Sequence, residues 1–115
     1  DYVLWYMRGN LLNKNFQDYR RAIASYDRAL SINPGFADAW MGKGKALYDT
    51  GNYNAALTAY DKALQLNPNL AVAWILQGQT LGAMGRRPEA QQALNRALQL
   101  QPNNPEALRI LGTLR

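Results

Sequence analysis

The chain has 115 residues, 48% hydrophobic and 18% charged, with 13 Lys and Arg against 8 Asp and Glu for a net charge of +5. It contains no Cys and no His, which excludes disulfides, thiol nucleophiles, imidazole bases and zinc sites together. No apolar run approaches the roughly 18 residues of a membrane span, and the basic residues are scattered apart from the pairs Arg20-Arg21 and Arg86-Arg87, whereas a nucleic-acid or membrane tail needs a block of like charge.

Residues 2–14 (YVLWYMRGNLLNK) carry apolar side chains at Leu4, Trp5, Leu11 and Leu12, the spacing of one buried helical face. Asn13, Lys14 and Asn15 read as a turn. Asp18 is the N-cap of a second helix from Tyr19 to about Ser31, with Ala22, Ile23, Tyr26, Ala29 and Leu30 facing inward. Asn33-Pro34-Gly35 ends it, because Pro cannot continue a helix and pushes its predecessor out of the α region. The plan then recurs: a helix from Ala37 to about Thr50, a turn at Gly51-Asn52, and a helix from Tyr53 to Leu66. Gly51 stands where a left-handed residue would close the first of these. A third unit runs from Ala71 to Ala83, turns at Gly85 and re-enters a helix at Pro88, where a missing N–H costs no helical bond. After Pro102, residues 105–114 begin a fourth unit that stops after one helix.

A shift of 34 residues lays Trp40 on Trp74, Gly44 on Gly78, Gly51 on Gly85, Ala56 on Ala90, Ala63 on Ala97 and Pro68 on Pro102. A fixed period of this length is the signature of a helical repeat array, in which each unit buries its apolar face against the next. The first unit holds one residue more, since Trp5 and Tyr26 stand 21 apart and Trp40 and Tyr60 stand 20 apart. The extra residue belongs in the turn between Leu12 and Tyr19, where an insertion costs least. Gly9, Gly44 and Gly78 lie inside helices, at about 1 kcal/mol each relative to Ala, so the helices are expected to approach too closely there for a Cβ. Ala22, Ala56 and Ala90 would line the same approach, and Trp5, Trp40 and Trp74 would fill the space between units.

Fragments that look like chemistry fail on context. Asp49-Thr50-Gly51 lacks the second carboxylate that a protease dyad requires. Gly42-Lys43-Gly44-Lys45 lies inside a helix with no strand before it and the wrong spacing for a phosphate loop. The eight acidic residues are spread along the chain, with no pair placed for acid–base or metal work. The reading is therefore not an enzyme, with no cofactor and no metal.

The pattern of Trp40, Gly44, Leu47, Gly51, Tyr53, Ala56, Tyr60, Ala63 and Pro68 resembles the tetratricopeptide repeat, and with its copies it covers essentially the whole chain. It departs from the family at Arg87 and Leu94, where aromatics are usual, and before each glycine, where Arg8, Lys43 and Gln77 replace Leu; their stems can pack while their polar ends reach water. The resemblance implies an all-α, right-handed superhelical solenoid of antiparallel helix pairs with seven helices. It divides into repeats at about 2–36, 37–70 and 71–104 with a C-terminal helix at 105–115. The whole reads as one domain, and its opening at Asp1 directly into helical pattern reads as a piece of a longer protein.

The resemblance further implies a non-catalytic module whose first helices line a concave groove for a peptide or helix of another protein. Carried over by motif position, the groove takes Val3, Tyr6, Asn10, Asn13 and Lys14, then Asp38, Met41, Lys45, Tyr48 and Asp49. Val72, Ile75, Gln79, Gly82 and Ala83 follow, and Glu106, Arg109 and Thr113 in the last helix. Tyr6, Met41 and Ile75 would form an apolar stripe beside a polar row of Asn10, Lys45 and Gln79. Family members that hold chaperone C-terminal tails use a clamp of Lys, Asn and Arg side chains. The matching positions here are Tyr6, Asn10, Gly42, Val72 and Leu76, of which only Asn10 fits, so a chaperone tail is not the expected partner. A second reading is a spacer or a homo-oligomer formed through the apolar terminal helix. Nucleic-acid binding through Arg20, Arg21, Arg28, Arg86 and Arg87 would need a continuous basic stripe that the sequence lacks.

Overall fold

A computed structural model describes residues 1–15 and 17–114. Among the described residues every regular element is a helix: α1 (Tyr2–Lys14), α2 (Tyr19–Ile32), α3 (Ala37–Asp49), α4 (Tyr53–Leu66), α5 (Ala71–Ala83), α6 (Arg87–Leu100) and α7 (Pro105–Thr113). They pair as α1/α2, α3/α4 and α5/α6, each pair stacks on the next, and α7 closes the far end of a body 41 × 25 × 22 Å.

Local chemistry accounts for the ends of these helices. Asp1, Asp18 and Asn104 accept from the backbone N–H groups of Val3, Arg21 and Ala107 at 2.9, 3.2 and 3.0 Å, each satisfying a donor that the helix leaves open. Helices α3 and α5 lack such a cap. Their approach is held instead by Asn33 and Asn67, whose side-chain oxygens accept from Gly35 and Asn69 N–H in the turn around each Pro. Gly51 and Gly85 stand at φ +85° and +77°. Beyond them Asn52 and Arg86 donate back to the Leu47 and Leu81 carbonyls at 2.9 Å, the two-bond closure that a left-handed glycine permits. In the first unit the corresponding bond runs from Asp18 to the Leu12 carbonyl at 2.8 Å, six residues apart rather than five, with Gln17 at φ 52°. The extra residue is absorbed inside that turn.

The core is a stripe of small residues with one large side chain per pair. Ala22, Ala56 and Ala90 are fully buried, and four residues on so are Tyr26, Tyr60 and Leu94. These three large side chains, not the alanines, explain the mid-helix glycines. A Cβ would stand 2.7 Å from the Tyr26 ring at Gly9, 2.5 Å from Tyr60 at Gly44 and 2.7 Å from Leu94 at Gly78. Leu94 thus fills in the third pair the socket that tyrosine fills in the others.

Three expectations change. Leu4 and Leu11 are 64% and 53% exposed, so they do not belong to the buried face of α1, which is made by Gly9 and Leu12. The tryptophans are half-buried and pack against the core clusters rather than being enclosed by them. Arg28, Lys43 and Arg96 lie over the faces of Trp5, Trp40 and Trp74 at 5.1, 5.6 and 5.9 Å. The indoles of Trp40 and Trp74 donate to the Pro34 and Pro68 carbonyls at 3.1 and 3.0 Å, tying each first helix to the proline turn before it. Finally, the polar ends of Lys43 and Gln77 do not simply reach water. Lys43 pairs with Asp27 at 2.7 Å and Gln77 donates to Asp61 at 3.0 Å, the same bridge between successive units made twice.

Candidate binding groove

Curvature follows from which helices touch. Helix α1 meets α3, α3 meets α5 and α5 meets α7, whereas α2, α4 and α6 make no contact with one another among the described residues. The first helices therefore converge on the inner side and the second helices splay outward.

Two recesses open between the converging helices. The first, about 370 Å³, lies where α1, α3 and α5 meet and is lined by Tyr6, Asn10, Asn13 and Lys14 from α1, Asp38, Met41, Gly42 and Lys45 from α3, and Val72 and Leu76 from α5. The Tyr26 ring forms its floor, between Gly9 and Gly42, where a Cβ on either glycine would come within 2.7 Å of the ring. Its hydroxyl donates to Asn10 Oδ1 at 2.6 Å. Burial, reinforced by Tyr6, pushes the Tyr26 phenol well above its ordinary range, so it remains a neutral donor. Tyr6 is held edge-on to Phe36, with ring centroids 4.9 Å apart, which fixes the wall at the α1 end. Lys14 and Lys45 against Asp38 leave this recess net cationic.

The second recess, about 620 Å³, lies between α3, α5, α6 and α7 and includes Tyr48, Gln79, Gly82, Ala83, Arg87, Arg109 and Thr113. Arg109 is ion-paired to Glu106, and Tyr48 stacks at a tilt on Tyr53, 5.3 Å between centroids. Burial raises the Asp49 carboxyl above its usual value and Lys45 opposes the shift.

Of the residues that sequence position assigns to the groove, Tyr6, Asn10, Asn13, Lys14, Asp38, Met41, Lys45 and Val72 come together in the first recess, and Tyr48, Gln79, Gly82, Ala83, Arg109 and Thr113 in the second. Val3 and Asp49 border neither. Ile75 is a correction. It is 5% exposed and lies in one buried cluster with Ile110 of α7 and its C-cap Leu114, so the stripe of Tyr6, Met41 and Ile75 breaks at its third member. Val72, one turn earlier and 49% exposed, supplies the apolar surface instead. Contributors that escaped the sequence reading include Tyr26, whose periodicity marks it as core, Phe36, which stands outside the repeated motif, and Arg87, which lines the second recess. Among the described residues no group of three or more acidic, His or Cys side chains could hold a metal ion.

Comparison with known proteins places this geometry. A family model described as the tetratricopeptide repeat matches residues 5–71, and a second of the same description matches residues 47–114. No curated protein matches the sequence. Among solved structures, the first TPR of Spaghetti (RPAP3) bound to an HSP90 peptide superposes with a TM-score of 0.94 at 24% identity, covering 98% of this chain and 89% of that one. The Arabidopsis OM64 TPR domain gives 0.93 at 23% identity, covering 99% and 93%. The second TPR domain of human RPAP3 in complex with an HSP70 peptide gives 0.89 at 24%, covering 99% and 98%. At these identities the likeness is one of fold.

Proposed function

The chain belongs to the tetratricopeptide repeat family, and from that premise we propose that it is a non-catalytic adaptor that holds a peptide or helix of another protein in the groove of its first helices. The observation that carries this reading is the first recess. Apolar surface from Met41, Val72 and Leu76 lies there beside the polar and charged groups of Asn10, Asp38 and Lys45. An extended peptide or a helix face needs this mixture: a few apolar anchors, with donors and acceptors for the polar groups between them.

The solved relatives that carry HSP90 or HSP70 peptides do not transfer their ligands to this chain. The positions that would clamp a terminal carboxylate, Tyr6, Asn10, Gly42, Val72 and Leu76, all border the first recess. Gly42, Val72 and Leu76 offer no side-chain donor, Tyr6 and Asn10 offer only neutral ones, and the floor beneath is a neutral phenol. Charge-assisted bonds to a tail are therefore absent at those positions, and the ligand of this groove is an internal segment with an apolar anchor.

The test is selection of binders from a random peptide library on the intact chain, followed by titration against the double variant Met41→Glu/Val72→Glu. Affinity should fall at least about tenfold, the loss expected when about 1.4 kcal/mol of apolar contact is removed, with helical circular dichroism and melting unchanged. Unaltered affinity in the variant overturns the groove assignment.

A further inference from the structure

On a face away from the groove, every helix pair carries a cation at the same place. Arg28 in α2, Lys62 in α4 and Arg96 in α6 follow one another at 34 residues, one register of the second helices, and all three are exposed. Each lies over the tryptophan of its own pair: Arg28 over Trp5 at 5.1 Å, Lys62 over Trp40 at 6.0 Å and Arg96 over Trp74 at 5.9 Å. Arg8 and Lys43 reach the first two rings from the first helices, at 5.7 and 5.6 Å. Lys43 and Lys45 are two positions apart in α3, about 200° around the helix, so this cationic ladder and the first recess lie on different faces.

The carboxylates beside the ladder do not neutralise it. Asp27 and Asp61, each the residue before a ladder cation, turn to the next unit: Asp27 pairs with Lys43 at 2.7 Å and Asp61 accepts from Gln77 at 3.0 Å. Among the described residues Arg8, Arg28, Lys62 and Arg96 are in no ion pair, and Arg96 donates to the Gln99 side-chain oxygen at 3.1 Å. The row is nevertheless held in place, because the stems lie along indole and the negative faces of the rings attract the charged heads. A ligand that meets it therefore loses little free energy in ordering these side chains.

We infer that the ladder is a second binding surface and that its ligand is an acidic segment of another protein, lying extended across the three units. The unpaired cations decide the sign of the ligand. The tryptophans decide between polyanions. Each indole is half-buried and already has a cation against it, which leaves no aromatic platform for the base stacking that holds a single nucleic-acid strand. A carboxylate needs only the cations. Geometry sets the length. Packed helices lie about 8–10 Å apart, and α2, α4 and α6 make no contact with one another among the described residues, so successive rungs are separated by about 10 Å or more. At about 3.3 Å per extended residue, a run of about seven or more Asp and Glu residues spans all three rungs. This surface stands independently of the peptide groove.

The chain has three tryptophans, all of them under the ladder and none lining either recess, so their emission reports on this face. The test is the anisotropy of a labelled ten-residue Glu peptide titrated with the intact chain at about 0.1 M salt, where charges beyond about 10 Å are screened. Unlabelled peptide should shift the tryptophan emission saturably. Arg28→Gln/Lys62→Gln/Arg96→Gln should weaken binding at least about tenfold, since each exposed pair contributes up to about fivefold. Lys62→Gln alone should weaken it about threefold, which keeps the test open if the triple variant melts. Lys14→Gln/Lys45→Gln, which removes charge from the first recess, should stay within about twofold of wild type. Four results overturn the inference: no binding below about 1 mM peptide, an emission spectrum that saturating peptide leaves unmoved, a loss that follows Lys14 and Lys45 rather than the ladder, or a ten-residue thymidylate strand that binds more tightly than the Glu peptide with the same dependence on the ladder.

Discussion

At the scale of single residues, glycines in equivalent helical positions should respond to the same substitution with opposite signs. Gly44→Ala gains about 1 kcal/mol of helix propensity. It places a methyl 2.5 Å from a fully buried Tyr60 ring that has no room to move, and overpacking of this kind costs about 1–3 kcal/mol. Net destabilisation follows. Gly112→Ala meets nothing within 4 Å and should stabilise by up to about 1 kcal/mol. Urea unfolding of the two variants reads the signs directly, and a stabilised Gly44→Ala would contradict the ring-in-socket packing. The buried tyrosines also carry a pH signature. Burial raises the phenols of Tyr26 and Tyr60 above the ordinary value of 10.0. The unfolded chain then releases protons first as pH climbs past about 10, while the folded chain retains them. Stability contributed by the neutral phenols is whole below that point and falls as pH rises toward the folded value. Tyr60→Phe should flatten that alkaline loss in a series of denaturation curves taken from pH 8 to 11.

At the scale of elements, each first helix ends by local chemistry and packs by position. Gly51 and Gly85 have open space around them, so nothing but backbone conformation explains them. Gly85→Ala should cost about 1–2 kcal/mol, the penalty of a Cβ in the left-handed region, although no neighbour clashes. Gly85→Asn should cost less. A loss in thermal unfolding for Ala with partial recovery for Asn is the expected outcome, and equal losses would point to a steric cause instead. The bridges from Asp27 to Lys43 and from Asp61 to Gln77 bind successive pairs at one register. Asp27 is 50% exposed, so such a bridge adds well under about 1 kcal/mol and serves the alignment of neighbours more than their stability.

At the scale of the whole molecule, stability is a sum over units and their interfaces, and the proposed binding groove lies on a surface that no single unit owns. The first recess draws on three helices from three successive units. Removing α7 should therefore affect the second recess while leaving the first recess whole, and it should expose Ile75, which shares a buried cluster with Ile110. A chain ending at residue 101 is expected to melt at lower temperature and to retain peptide affinity; loss of that affinity would place the ligand across α7 instead.

The number and order of the helices, and most of their limits to within a residue, were legible in the sequence alone, because prolines, left-handed glycines, caps and a 3.6-residue apolar period act over a few neighbours and recur from unit to unit; Asn13 and Lys14, read as a turn, instead continue α1. The inward alanines and tyrosines were legible for the same reason. What remained for the tertiary structure was which neighbour each apolar position meets. A first helix packs against three others at once, and periodicity reports that a face exists without naming its partner. Hence Leu4 and Leu11, apolar and in register, are nonetheless exposed. Ile75, at the register of the half-buried Met41, is buried in a cluster with Ile110 and Leu114. Tyr26 serves the core and the groove floor together because Gly42, from the next unit, brings its backbone against the ring. Those outcomes depend on contacts between units, and the repeat that writes each unit does not encode its place in the stack.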